Sequence, residues 1–184
     1  MNPVERSEIV DYQTYEDTRD AFRQEIFGLK RDRRIHVGEH LTFLFENHET
    51  IRYQIQEMMR AEKIVREADI QHEIDTYNEL LGGPGHLGCT LLIEIDDEKA
   101  RQDKLTAWLD LPKHLYARLD DGTRVKATYD ERQVGETRVS SVQYLAFEVG
   151  GRTPVALGAD HPALTVEAPL SEQQRAALTA DLAG

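Results

Sequence analysis

Apolar side chains recur at helical spacing near the start of the chain, at Tyr15, Phe22, Ile26 and Leu29. With Thr14 and Asp17 as a weak capping signal, this spacing predicts a first helix over residues 15–33. Gly38 interrupts the pattern, and "HLTFLFEN" then reads as a strand, being apolar, aromatic and β-branched but too short for a typical helix. Asn47 stands where its side chain can cap the next helix. Two stripes follow: Ile51, Ile55, Met58 and Val65, then Ile70, Ile74, Tyr77 and Leu81. They lie about 100° apart on an ideal wheel. Either two helices meet at a break between residues 64 and 69, or one long helix turns its core side. Gly82, Gly83 and Pro84 end the helical stretch.

The period then changes to two. In "LGCTLLIEI", Leu87, Cys89, Leu91, Ile93 and Ile95 share a face, as in a half-buried strand. "DDEKARQDKLTAWL" returns to helix, with acids in its first turn. A three-residue loop at Asp120–Gly122, with Gly122 left-handed, pairs Ala117 with Val125 and Leu115 with Ala127. A second turn at Gly150–Gly151 is expected to set Tyr144 and Ala146 against Val155 and Leu157, and Pro154 to place the returning strand at an edge. "ALTVEA" reads as a last strand, and "SEQQRAALTADL" as a helix with Ser171 and Gln174 as capping box. The expected class is α+β, with N-terminal helices packed on a mainly antiparallel C-terminal sheet and a C-terminal helix. A single domain over 1–184 is expected: a helical part to about residue 85, a strand-rich part over 86–170, and a helix at 171–183.

Composition narrows the function classes. No run approaches the roughly 20 apolar residues of a membrane span, and "MNPVERSEIVDY" has charges where a signal peptide is hydrophobic, so a cytoplasmic protein without membrane insertion is expected. Cys89 is the only cysteine, and as a small residue on the strand's apolar face it reads as core. A formal charge of −12 argues against nucleic acid as a partner. One basic run, "LKRDRR" at 29–34, reads as the solvated end of the first helix, complementing its dipole. The alternative is a site for an anion or an acidic partner.

Among the polar positions, Glu62 falls in the middle of the first apolar stripe. A carboxylate there needs a cation, a proton or a metal. Glu73 lies on the shoulder of the second stripe and can approach the same centre, with Glu57 as a further acid. Asp69 and His72 sit three apart, a spacing used in di-iron bundles, yet one such pair does not make that site. His36, His40, His48 and His161 show no ligand spacing such as HExxH, and no P-loop, GxSxG or dinucleotide fingerprint is present. No cofactor is evident from motifs.

"FLFENHETIRYQIQEMMRAEKI", "EIDTYNELL", "TLLIEI", "SSVQYLAF" and "DHP" resemble a bacterial family known only as a domain of unknown function. The resemblance covers about residues 34–182 and draws attention to Glu46, Asn47, Arg52, Gln54, Gln56, Glu57, Glu62, Glu73, Tyr77 and Asn78. Cys89, where alanine is expected, and His72 depart from the family pattern. Members of that family are often encoded beside a rubrerythrin-like protein and an iron–sulfur protein related to heterodisulfide reductase subunits. The resemblance therefore implies an accessory or interaction protein in a redox or peroxide-stress pathway, docking on an iron–sulfur or rubrerythrin-like partner. A second reading is a metal-dependent enzyme with Glu62, Glu73 and His72 as ligands for iron, manganese or zinc. A third is a small-molecule binding domain. A homo-oligomer is compatible with each.

Overall fold

The computed structural model describes residues 1–131 and 134–184. Among these, five α-helices and two antiparallel sheets make a mixed α+β fold that ends in a helix. The helices are α1 (Tyr12–Arg31), α2 (His48–Glu62), α3 (Glu67–Asn78), α4 (Glu98–Ala107) and α5 (Glu172–Ala183). The strands are β1 (Arg34–Val37), β2 (Leu41–Phe45), β3 (His86–Ile93), β4 (Leu115–Arg118), β5 (Arg124–Lys126), β6 (Thr128–Tyr129), β7 (Val142–Glu148), β8 (Ala156–His161) and β9 (Leu164–Pro169).

One sheet runs β1-β2-β3-β7-β6 and the other β5-β4-β8-β9. Alternation along β2, β3 and β7 turns Phe43, Phe45, Leu87, Cys89, Leu91 and Phe147 into a core shared with Leu115, Ala117, Leu157 and Ala159 of the second sheet. Cys89 is 2% exposed there, and burial, followed by the charge of Glu46, pushes its thiol pKa well up. The opposite face of β3 meets the 3-10 turn Glu79–Leu81. Gly88 permits that contact, because a Cβ there would stand 1.7 Å from the Leu80 carbonyl oxygen. A second apolar cluster joins α2 and α3 to the N-terminal segment through Val4, Ile9, Ile51, Ile55, Met59, Ile70, Ile74 and Leu81.

The phase change between the two stripes resolves into two helices. Lys63 closes α2 in the left-handed region at φ 53°, and α3 starts at Glu67. Asn47 caps α2 by accepting from the Thr50 N–H, Ser171 and Gln174 form their capping box, and Ala117 pairs with Val125. Gly122 has φ +86°.

"RIHV", to which the apolar pattern assigns no element, is strand β1, because a tight turn with Gly38 at φ +65° folds it against β2. Two expectations are corrected. Tyr144 and Ala146 do not face Val155 and Leu157. Instead β7 pairs with β3 and β6, and after Gly150–Gly151 the chain crosses to the second sheet. Pro154 marks no edge: it lies before β8 begins, outside the ladder, and β8 runs between β4 and β9.

Candidate functional site

Glu62 is not in the core. Its wheel direction matches the stripe, but it is the last residue of α2, the chain leaves at Lys63, and the apolar layer is already closed by Met59. Met58 is half-buried, Val65 is 69% exposed, and Glu62 itself is exposed. Among the described residues, the buried acids are Glu46, at 1% exposure, and Asp181, at 7%.

Glu46 follows β2 and turns toward α2. Its Oε2 accepts from the Thr50 hydroxyl at 2.7 Å and its Oε1 from the Thr90 hydroxyl at 2.9 Å, joining helix to strand. Next to it, Asn47 both caps α2 and donates from Nδ2 to Asp181 at 3.2 Å. Asp181 is gripped by Arg33, whose Nε and Nη2 each donate at 2.7 Å. This two-pronged pair, with both side chains buried, ties the start of β1 to α5. Periodicity gave no sign of it, because the partners are 148 residues apart and Arg33 sits in a run that reads as solvated.

Other residues singled out by the resemblance are clamps on the N-terminal segment. Asn78 accepts from the Val4 N–H at 2.8 Å and donates to its carbonyl at 3.0 Å. Gln56 treats Val10 the same way, at 2.9 and 3.1 Å. Each amide replaces the partner that a neighbouring strand would supply. His48 adds contacts to the Asn2 carbonyl and Glu8. A cleft of about 690 Å³ lies between this strap, Asn47, His48 and Asp181.

Along the α1–α2 seam, Glu57 accepts from Arg19 at 2.7 and 2.9 Å and from the Tyr15 hydroxyl at 2.7 Å. The Arg19 bonds hold the Glu57 carboxyl below its ordinary pKa, while burial and then Glu57 push Tyr15 up. Arg52 donates to Glu49 and lies 4.5 Å from the Phe22 ring centre. Gln54 is half-buried on the same helix.

Tyr77 lies at a different place, the surface beside the β6 edge, while Glu73 is half-buried on α3. Tyr77, Tyr129 and Tyr144 line a groove of about 520 Å³ with Leu80, Leu145 and Ala146, flanked by Glu79 and Asp130. Burial, then the charges of Glu73, Tyr144 and Glu62, push the Tyr77 hydroxyl pKa up. Tyr144 is 43% exposed and its strand neighbour Val142 38%. β6 covers β7 only at Leu145 and Ala146. His72 is exposed on α3. Among the described residues, no group of three or more His, Cys, Asp or Glu is arranged to hold a metal ion.

The molecule is thus an α+β protein with a clamped N-terminal strap, a buried polar joint around Glu46 and Asp181, and an acid-rimmed tyrosine groove. Residues 3–182 match the family model described as Protein of unknown function (DUF3501), and the chain belongs to that family. It is also similar to a solved structure from Burkholderia pseudomallei K96243, a "novel protein of unknown function". The two share 31% identity, with 98% of this chain and 100% of the other covered and a TM-score of 0.89. No curated protein matches the chain.

Proposed function

We propose that this chain is an accessory protein that docks on a partner through the groove of Tyr77, Tyr129 and Tyr144. The partner is an iron–sulfur or rubrerythrin-like oxidoreductase of a cytoplasmic redox or peroxide-stress pathway, as the family resemblance implies. The supporting observation is the groove itself. Tyrosine offers a large, stiff contact area with a polar tip, a combination enriched at protein interfaces. Its acidic rim on a chain of formal charge −12 steers encounter with a basic partner surface. No helix among the described residues is long and apolar enough to cross a membrane.

Calorimetry and co-elution at low salt with an iron–sulfur protein related to heterodisulfide reductase subunits test the proposal. A complex that Tyr144→Ala weakens supports it, and absence of any complex ends it. The small-molecule reading has one observation in its favour, the 690 Å³ cleft beside the strap, and ligand-dependent thermal shifts abolished by Asn47→Ala are its test.

A further inference from the structure

Contacts of different chemistry hold the N-terminal strap. Asn78 and Gln56 grip its backbone at Val4 and Val10 through neutral amides, and Arg6 donates twice to Glu67, at 2.6 and 3.0 Å. None of these groups changes charge near neutral pH. His48, the first residue of α2, is of another kind. Its Nδ1 stands 3.1 Å from the Asn2 carbonyl oxygen and its Nε2 2.9 Å from a Glu8 carboxylate oxygen. A carbonyl oxygen only accepts, and so does an ionised carboxylate. Glu8 is ionised near neutral pH, because the Glu5 N–H, which donates to it at 2.8 Å, and after it His48 hold its carboxyl below the ordinary value in spite of burial. A neutral imidazole has one N–H and satisfies one of the two acceptors. The imidazolium has two and satisfies both.

We infer that His48 is a proton-operated latch on the cleft beside the strap: doubly protonated it pins both Asn2 and Glu8, and on losing a proton it releases one of them and loosens that wall. Asn2, Glu5 and Glu8 of the strap line this cleft of about 690 Å³ together with His48 of α2 and Asp181 of α5. The charged groups around the imidazole are Glu5 and Glu8 from the strap, Glu49 and Arg52 from its own helix, and Asp181 from α5, with the terminal groups of Met1 and Gly184 on the same cleft. Glu49 lies 3.8 Å from Nε2 but is held by Arg52, and Asp181 is held by Arg33, so Glu8 is the carboxylate that answers to the histidine. Both contacts are made below the ordinary histidine range, and one is lost as pH rises through about 6 to 7. Asn78 and Gln56 keep their grip throughout, so the strap stays attached and the loosening is confined to residues 1–3 and Glu8. The cleft is therefore more open at alkaline than at acid pH. The latch rests on neither the tyrosine groove nor the identity of any ligand.

Amide hydrogen exchange of the full chain, read residue by residue by NMR and corrected for the intrinsic pH dependence of exchange, is the test. Between about pH 5 and about pH 8, protection of the Glu5 amide, which donates to Glu8, is expected to fall at least about threefold in the parent. The Val10 amide, held by Gln56, is expected to keep its protection. His48→Gln removes the titrating group and abolishes the pH response. Glu8→Gln, which gives the ring a partner able to donate as well as accept, abolishes it too, while His72→Gln, at an exposed position on α3, leaves it intact. Unaltered thermal melts show that the variants are folded. Equal protection of Glu5 at both pH values in the parent overturns the inference, and so does a response that persists in His48→Gln. A parallel fall at Val10 means that the whole strap opens and overturns a latch confined to one wall, and a response lost in His72→Gln assigns the titration to α3 and overturns it as well.

Discussion

Replacing Asp181 with alanine removes both carboxylate oxygens from a guanidinium that is 6% exposed. Arg33 would keep only the donation from Nη1 to the Leu29 carbonyl, at 3.0 Å, and Asn47 Nδ2 would lose its acceptor as well. An uncompensated buried charge costs about 3–5 kcal/mol, which sets the expected loss. Replacing both partners with apolar residues, Arg33→Met with Asp181→Leu, leaves no stranded charge and should recover most of that loss. Urea denaturation with a double-mutant cycle measures both quantities. A cost below about 1 kcal/mol for Asp181→Ala would mean that water reaches the guanidinium and that the joint is not buried in solution. A double variant as unstable as the single one would place the damage in packing instead of charge.

Asn78→Ala and Gln56→Ala each strand a backbone N–H and carbonyl of the strap; each should cost about 1–3 kcal/mol and speed hydrogen exchange over residues 1–11, and unchanged exchange there would refute the clamp. Glu62→Gln and Glu62→Ala should both stay within about 0.5 kcal/mol of the parent, as for an exposed helix end, and a larger loss in a thermal or urea melt would show a partner for this carboxylate. Asp121 accepts from the Thr123 backbone N–H and is joined by Arg152, and these bonds depress its pKa from 3.8 to about 2. Because the folded value is the lower one, the hairpin is favoured by the ionised form above pH 3.8, and that contribution disappears as pH falls through about 2. A carboxyl NMR titration that gives an ordinary aspartate midpoint would contradict the assignment.

The elements set by local chemistry could be read before any coordinates. Asn47, Ser171 and Gln174 announce helix starts because capping joins residues close in sequence, and Gly122 announces a turn because its backbone angle suits few other residues. Long-range partners could not be read that way. Register against a neighbouring strand was resolved at Ala117–Val125, where one short turn dictates it, and misread at Gly150–Gly151, where both strands go to other partners. The wheel gave the correct direction for Glu62 and the wrong environment, because angle carries no information about where the core ends. Glu46 and Asn47 were visible through the family pattern, but Arg33 and Asp181 meet only when the start of β1 comes against α5. Tyr129 and Tyr144 each look like ordinary strand residues until the β6 edge brings them beside Tyr77.

The proposed docking role is tested most directly by calorimetry of the chain with an iron–sulfur protein of the proposed partner class at low salt, for the parent and for Tyr144→Ala. A complex that weakens at least about tenfold in the variant, and in the parent on adding salt, is the expected result. No heat and no co-elution with the parent, or a complex indifferent to Tyr144, would contradict the groove as the docking site.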